Sequence, residues 1–320
     1  MKDIVFETAA SAVQARNRIR HHIYQTPLIP ARTTGKANSA NVLFKAENFQ
    51  LTGSFKIRGA MSKMTIQPAD GRLITASSGN HGIASACASK ALSKNLTVVV
   101  PQTVVTSKLE KIRSYGVEAI LNGSDPGLAE QHAQQLAASG DYTYISPYND
   151  ADVIAGQGTI ALEILEQCEK VDNVFVAMGG GGLISGIGSV IKAFSPRTKV
   201  YGVSATNSKA LAESMVAGHV VETEHLSTVA DAVAGGIDEG TITLPLATAV
   251  VDQIVECDEG EIKAALKALA LEENIIVEGS AALALAGFEK VSGDLADQTS
   301  VIVLCGANYD QGIIKGIIYG

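Results

Sequence analysis

The sequence lacks several features that would assign it to a common class of protein. No apolar run approaches the roughly 18 residues that a membrane helix needs. The first residues contain no apolar core followed by a cleavage signal for export. No two of the four cysteines, Cys87, Cys168, Cys257 and Cys305, have the CxxC spacing of a zinc or redox site. We therefore expect a cytoplasmic protein with free thiols and no membrane association.

Basic charge is also scarce. The 25 lysines and arginines stand against 33 acidic residues, which gives a net charge of −8 with no block of like charge. Nucleic-acid-binding proteins usually carry a clustered basic face, so a nucleic-acid partner is not expected. The 46% of apolar residues and 18% of charged residues are typical of a globular domain that folds without a partner.

Two nucleotide-binding signatures are missing as well. There is no GxxxxGK[ST] segment, which disfavours a nucleoside triphosphate. A glycine run at 179–182 follows an apolar segment, but the next apolar segment ends Val203-Ser204-Ala205 without the acidic residue that holds a dinucleotide ribose. A dinucleotide site is therefore poorly supported.

Short apolar segments alternate along the chain with longer amphipathic or Ala-rich ones. The first kind predicts buried strands, and the second predicts helices near 81–91, 107–115, 127–139 and 158–169. This alternation predicts an α/β fold in which helices cover both faces of a largely parallel sheet. The predicted strands are NVLFKAE, RLITAS, LTVVVP, VEAILN, NVFVAMG, KVYGVSA, QIVECD and SVIVLCG.

Glycine is plentiful, with 31 residues, and it concentrates where the predicted strands end. Gly79 and Gly82 follow one strand, Gly179–Gly182 another and Gly306 a third. Ligands of open parallel sheets bind beyond the carboxyl ends of the strands, so we expect these loops to meet at one crevice. Consecutive glycines cost backbone entropy, which is understandable if their amides wrap a phosphate.

Lys56 lies between Phe55 and Ile57 in a polar turn that leads into a predicted helix. A surface lysine is the simpler interpretation of such a residue. The apolar neighbours favour partial desolvation instead, which lowers the pKa of an amine and makes it a better nucleophile for an aldehyde.

Six segments together resemble the serine/threonine dehydratase and serine racemase family, and they recur in that family's order over nearly the whole chain. They are SFKIRGA at 54–60, SSGNHG at 77–82, IAGQGT at 154–159, the tetraglycine at 179–182, VEGSA at 277–281 and CGAN at 305–308.

The resemblance implies the fold-type II architecture of pyridoxal-phosphate enzymes (tryptophan synthase β-like), with two open twisted sheets and helices on both faces. Residues 1–69 and 148–320 would form a large cofactor-binding domain, and residues 70–147 a small mobile domain. A homodimer or homotetramer is expected from the family alone. The chain ends about a dozen residues after Asn308, so no regulatory domain is expected.

The same resemblance implies the residues that hold pyridoxal 5'-phosphate. Lys56 would bind the cofactor covalently, Phe55 would pack beside its ring, and Asn80 would hydrogen-bond its phenolic oxygen. The phosphate would be held by Gly179, Gly180, Gly181 and Gly182, followed by Leu183.

Two further residues lie in matching segments and keep an alternative interpretation. Cys305 would face the pyridine nitrogen, where a neutral thiol protonates the ring poorly and favours prompt β-elimination; a small buried apolar residue is the alternative. Glu278 would lie near the ring or its phenolic oxygen. It could equally be a carboxylate stabilised by the helix dipole at a helix start.

The substrate implied is a small amino acid, L-threonine or L-serine, converted to a 2-keto acid and ammonia. Lys56 would remove the α-proton, while Ser77, Ser78, Asn80 and His81 would grip the carboxylate with hydroxyl and backbone donors. Ser78 also occupies the position of the second base in racemases of the family.

Three departures from the family pattern narrow the activity. Ser204 and Lys209 occupy places where metal-binding relatives have acidic residues, so no metal is expected. Leu128 lies near the place of an arginine found in some racemases and in members that act on hydroxyaspartate, which lowers the expectation for a second substrate carboxylate. Ala232 replaces a usual glycine and would narrow the pocket.

Other activities stay open. Serine racemase or threo-3-hydroxyaspartate dehydratase activity is the main alternative. β-Replacement is less expected, because those relatives usually have a Lys-Asn-Pro segment where this chain has Lys56-Ile57-Arg58. A binding protein that keeps the scaffold without catalysis is a fourth class.

Overall fold

The structure, a computed structural model, describes residues 2–320. The part described contains ten strands, which form two separate sheets. The strands are β1 (Leu28–Pro30), β2 (Asn41–Lys45), β3 (Arg72–Ala76), β4 (Asn95–Val100), β5 (Glu118–Leu121), β6 (Thr143–Tyr144), β7 (Asn173–Ala177), β8 (Lys199–Ala205), β9 (Gln253–Cys257) and β10 (Thr299–Val303).

Twelve α-helices separate the strands along residues 2–320. They are α1 (Lys2–Ile19), α2 (Lys56–Thr65), α3 (Asn80–Leu92), α4 (Thr106–Arg113), α5 (Pro126–Ala138), α6 (Ala151–Gln167), α7 (Gly182–Phe194), α8 (Ala210–Ala217), α9 (Thr243–Val250), α10 (Glu259–Leu271), α11 (Gly279–Val291) and α12 (Gln311–Tyr319). Short 3-10 helices cover Lys36–Asn38, Glu47–Phe49, Asp231–Val233 and Ser292–Asp294.

The larger sheet has the strand order β1-β2-β10-β7-β8-β9 and is parallel except for the β1–β2 pair. Every residue of β7 is buried, as its continuous apolar sequence predicts for a central parallel strand. Helix α11 packs on β7 to β10, and α7 packs on β7 and β8 together with α6 and α1. The predicted α/β fold with a largely parallel sheet is confirmed.

The smaller sheet has the order β5-β4-β3-β6, and all its pairs are parallel. Its strands and the helices between them occupy 72–144, inside the 70–147 range predicted for a small mobile domain. The domain boundaries and the mobility themselves stay a prediction.

All eight strands expected from apolar runs are present, but some boundaries differ. Helix α6 begins at Ala151, seven residues before the predicted start, because the Asp150 carboxylate accepts hydrogen bonds from the amides of Asp152 and Val153. Two short strands, β1 and β6, were not predicted, since two or three residues give too little pattern to read.

Within residues 2–320, every helix is too short or too polar to cross a membrane.

Candidate active site

Lys56 is the first residue of α2, at the junction of the two sheets. Its partly buried ammonium donates a hydrogen bond to the carbonyl oxygen of Pro147 at 2.8 Å and lies 5.2 Å from the centre of the Phe55 ring. Desolvation lowers the pKa of Lys56 to about 8, although the negative charge of Glu278 acts in the opposite direction. A nucleophilic amine is therefore accessible near neutral pH.

The Lys56 segment is joined to the segment that follows β10. The amide of Phe55 donates to the carbonyl of Cys305 at 3.0 Å, and the amide of Ala307 donates to the carbonyl of Gly53 at 2.8 Å. Ser54 and Gly306 thereby form an isolated antiparallel bridge. These hydrogen bonds hold Lys56 and Cys305 on adjacent backbone segments, although the two residues are about 250 positions apart in the chain.

A buried ion network anchors α2 two residues after the lysine. The Arg58 guanidinium makes paired hydrogen bonds with Glu47 (2.7 and 2.8 Å) and with Glu163 (2.6 and 2.8 Å), and Glu163 also accepts from Lys45 at 2.6 Å. Although burial opposes ionisation, Arg58 and Lys45 hold the pKa of Glu163 below its usual range. Sequence reasoning missed this network, because the partners of Arg58 lie outside α2.

The tetraglycine joins β7 to the start of α7. Gly181 has φ of +88°, which favours glycine, and a β-carbon at Gly180 would lie 2.5 Å from the Tyr148 ring. The first amides of a helix have no intrahelical acceptor, so those of Gly182 and Leu183 are donors for an anion. The loop fits a phosphate on these grounds; the Leu183 side chain itself is buried in the core.

The sequence predicted no role for Tyr148, because this residue lies in none of the six matching segments. Its ring closes over Gly180, and its hydroxyl accepts a hydrogen bond from the amide of Asp238 at 2.8 Å. Asn149 extends the link by donating to the Asp238 carboxylate at 3.0 Å. The segment 147–149, which follows β6, therefore contacts the glycine loop through Tyr148 and accepts the Lys56 hydrogen bond at Pro147.

The loop between β3 and α3 carries the predicted carboxylate-binding residues. The Ser77 hydroxyl accepts a hydrogen bond from the amide of Gly79 at 3.1 Å, and this bond stabilises the turn. The described residues offer the Ser78 hydroxyl no hydrogen-bond partner, and this side chain is partly exposed. Ser78 is therefore free to meet a substrate, and the amides that begin α3 lie beside it.

The His81 side chain packs against the smaller sheet. It is buried, and its Nε2 lies 3.1 Å from the carbonyl of Ile145 and 3.0 Å from the Thr75 hydroxyl. Desolvation lowers the pKa of His81 to about 3, so the ring is neutral. The ring points into the smaller sheet, and only the backbone amide of His81 remains for the predicted substrate contact.

Asn80 and Glu278 meet across the cleft. The Asn80 Nδ2 donates to the two carboxylate oxygens of Glu278 at 2.9 and 3.1 Å, and the amide of Asn308 donates to the same carboxylate at 3.0 Å. Glu278 precedes α11 but makes no side-chain capping bond to it. Burial raises the pKa of Glu278 to about 7 despite the hydrogen bond from Asn80. The carboxyl group is thus buried beside Asn80 and Asn308, and its contact with the cofactor stays a prediction.

Cys305 follows β10 and is buried. Burial, together with the charge of Glu278, raises the pKa of the thiol well above its usual value, so it is neutral at physiological pH. A neutral thiol donates weakly and cannot act as the counter-ion of a protonated ring nitrogen. This chemistry fits the predicted partner of a pyridine nitrogen.

The positions of the three family departures are also defined. In residues 2–320, no three His, Cys, Asp or Glu side chains converge as a metal site would require. The Lys209 ammonium lies 3.0 Å from Glu256 and 3.5 Å from Glu213. Leu128 is 43% exposed in the first turn of α5. The amide of Ala232 donates to the Ser280 hydroxyl at 3.0 Å.

A lysine with a lowered pKa beside a glycine-lined helix start is the arrangement of an enzyme that binds a phosphate-bearing aldehyde covalently. Comparison with known proteins agrees. The chain belongs to the pyridoxal-phosphate dependent enzyme family, whose model matches residues 19–306. Its cofactor is accordingly pyridoxal phosphate, as predicted.

Several relatives resemble the chain over nearly their full length. It is 36% identical to an L-threonine dehydratase catabolic TdcB of Staphylococcus aureus, over 95% of this chain and 90% of that protein. The structure of threonine deaminase isoform 2 of Solanum lycopersicum aligns with a TM-score of 0.93 and 30% identity, over 99% of this chain and 94% of that one. Serine racemase of Dictyostelium discoideum aligns with a TM-score of 0.87 and 31% identity, over 94% and 98%. These likenesses confirm the predicted family and its fold-type II architecture.

Proposed function

We propose that this protein is a pyridoxal-phosphate-dependent ammonia-lyase that dehydrates and deaminates L-threonine and L-serine. The observation that carries the proposal is the Lys56 amine, which donates to the Pro147 carbonyl next to Tyr148, the residue that packs on the glycine loop. Its pKa is lowered to about 8. The dehydratase and deaminase names among its relatives support the same activity. L-Threonine would give 2-oxobutyrate, and L-serine would give pyruvate, each with ammonia.

The cofactor would be held by Lys56 and by the amides of the glycine loop, with Cys305 at the ring nitrogen and Asn80 at the phenolic oxygen. When bound, pyridoxal phosphate supplies an electron sink that acidifies the α-proton of the amino acid. Phe55, beside Lys56, would support the ring. Glu278 would lie next to Asn80 and fix its amide.

The chain's own residues would carry the proton and orient the substrate. The amides that begin α3 and the Ser78 hydroxyl would hold the substrate carboxylate, leaving the α-hydrogen towards Lys56. Once the substrate amine has replaced Lys56 on the cofactor, the free, neutral Lys56 amine would take the α-proton onto Nζ and return a proton to the departing β-hydroxyl, which leaves as water. Addition of water to the resulting unsaturated amine releases ammonia and the 2-keto acid, which balances the reaction.

A direct assay tests this proposal. The purified protein, saturated with cofactor, is incubated with L-threonine or L-serine, and 2-oxobutyrate and pyruvate are measured. We expect both keto acids from the native protein and a loss of at least about 10³-fold in Lys56→Ala, which lacks the catalytic base. Absence of both products from the native protein would reject the proposal.

Racemisation is a second candidate activity, favoured by the unpaired Ser78 hydroxyl and by the likeness to a serine racemase. Chiral analysis of serine after incubation separates it from elimination. Hydroxyaspartate dehydration is less favoured, because the exposed Leu128 cannot pair with a second carboxylate. Oxaloacetate release from threo-3-hydroxyaspartate would detect it.

We also propose a cytoplasmic homodimer or homotetramer in which residues 70–147 move against the rest. The four free cysteines support a reducing compartment. The separate smaller sheet supports the mobile unit. Cell fractionation, sedimentation analysis and hydrogen exchange with and without substrate test these three statements in turn.

A further inference from the structure

Lys111 reaches across the cleft from an exposed position on α4. Its ammonium donates to the side-chain oxygen of Asn308 at 2.9 Å, although the two residues are 197 positions apart. Helix α4 packs with α3 and β5 of the smaller sheet, whereas Asn308 follows β10 of the larger one. The hydrogen bond therefore forms only when the two parts of the chain are close together.

In the observed orientation, the side-chain amide of Asn308 makes hydrogen bonds through both its oxygen and its nitrogen. Its oxygen accepts from Lys111, and its Nδ2 donates to the carbonyl of Thr52 at 2.8 Å and to the side-chain oxygen of Asn80 at 2.7 Å. An ammonium can only donate, and the other two partners are acceptors. A flipped amide would place donor against donor and oxygen against oxygen, so Lys111 reinforces the observed orientation.

The orientation of Asn308 determines that of Asn80. Because the Asn80 oxygen accepts from Asn308, its Nδ2 is turned towards the two oxygens of Glu278. The backbone amide of Asn308 donates to Glu278 as well, at 3.0 Å. A single directed series of hydrogen bonds thus connects an exposed lysine to a buried carboxyl group at the cofactor cleft.

We propose that Lys111 is a positioning residue: through Asn308 it orients the donor face of Asn80 and the carboxyl group of Glu278 towards the cofactor when the cleft is closed. Lys111 itself touches neither cofactor nor substrate. The inference rests on the proposed function in placing Asn80 and Glu278 at the cofactor. It extends that function by coupling closure of the cleft to the geometry of those two groups.

Three variants of α4 test the proposal. Lys111→Met removes the donor and keeps the length of the side chain, while Lys111→Arg keeps a donor. Arg113→Met is the matched control, because Arg113 is exposed on the same helix and makes no hydrogen bond or ion pair with the described residues. Circular dichroism and the thermal midpoint confirm that each variant folds.

Two readouts separate positioning from a purely structural role. We expect Lys111→Met to lose about tenfold in kcat/KM, mainly through kcat, the effect of one charge-assisted hydrogen bond. Its resting cofactor absorbance should shift, and the peptide that begins α3 should exchange amide hydrogens faster even without cofactor. Lys111→Arg should stay within about threefold of the native rate, since it keeps a donor. Arg113→Met should match the native protein throughout.

A double variant decides whether the effect runs through Asn308. Adding Lys111→Met to Asn308→Ala should cause no further loss, because the link is already broken. The proposal is overturned if Lys111→Met behaves like the native protein, if Arg113→Met falls equally, or if the two losses multiply. Absorbance and exchange are measured without substrate. They therefore still decide the role of Lys111 if threonine and serine prove not to be substrates.

Discussion

The Tyr148 ring lies directly against Gly180, so closely that a β-carbon at that glycine would be 2.5 Å from the ring. This contact ties the segment that accepts the Lys56 hydrogen bond, at Pro147, to the loop that begins α7. The amides proposed to bind the phosphate and the amine of Lys56 are therefore positioned by one short stretch of backbone. A substitution in the glycine loop should therefore affect the position of Lys56, and a substitution near Lys56 should affect the loop.

Gly180→Ala is predicted to weaken cofactor binding by at least about tenfold, because the methyl group must displace Tyr148 or the loop amides and overpacking costs more than 1 kcal/mol. The dissociation constant of pyridoxal phosphate is measured by fluorescence titration of the cofactor-free protein. Gly316→Ala is the control, since Gly316 faces open space on α12. Equal affinities for the two variants would show that the contact does not shape the phosphate site.

Covalent capture of the cofactor should follow the titration of Lys56. Desolvation lowers the pKa of Lys56 to about 8, so the neutral amine accumulates as pH rises through 8. The capture rate, followed by absorbance after mixing cofactor with cofactor-free protein, should rise up to that pH and then level off. Because the Glu278 charge raises the pKa of Lys56, Glu278→Gln should move the midpoint to lower pH. A rate that still climbs steeply above pH 9 would indicate an ordinary lysine.

Arg58→Met should destabilise the fold. The substitution leaves the buried Glu47 and Glu163 carboxylates short of their main cation, and breaking a buried pair costs about 3–5 kcal/mol. Urea denaturation measures the change in the free energy of unfolding. Arg16→Met is the control, since the Arg16–Glu166 pair is partly exposed to solvent and should be worth less than about 1 kcal/mol. A similar small loss in both variants would contradict the importance of the network.

Ser78→Ala should abolish any D-serine formation. Release of 2-oxobutyrate should stay within about tenfold of the native rate, because the substitution removes only one hydrogen bond to the substrate. Chiral chromatography and a keto-acid assay on the same samples measure both activities. Ser77→Ala should instead lower both together, because the Ser77 hydroxyl shapes the turn through the Gly79 amide. If D-serine formation survives in Ser78→Ala, Ser78 is not the second base.

The sequence was informative where a pattern is local. Apolar runs marked the eight longer strands, and the glycine run marked the loop before α7. The start of α6, seven residues before the predicted one, was missed because it is defined by the capping carboxylate of Asp150 and not by apolar spacing. His81 looked like a binding residue beside Asn80, yet its ring direction depends on acceptors supplied by β3 and Ile145.

Contacts between distant segments were beyond reach of the sequence. From the sequence alone, Lys111 would be interpreted as a solvated residue on a charged helix. Only the folded chain places it beside Asn308. Tyr148 and Arg58 are similar cases, because Gly180 and Glu163, with which they make contact, are distant from them in sequence.

The central claim is that the Lys56 amine carries the cofactor, and borohydride reduction followed by peptide mapping tests it most directly. The yellow native protein is reduced, digested and analysed by mass spectrometry, with Lys56→Ala treated in parallel. The account predicts one cofactor-labelled peptide, with the label on Lys56, and none in the variant. A labelled peptide that carries a different lysine, with Lys56 unmodified, would contradict it.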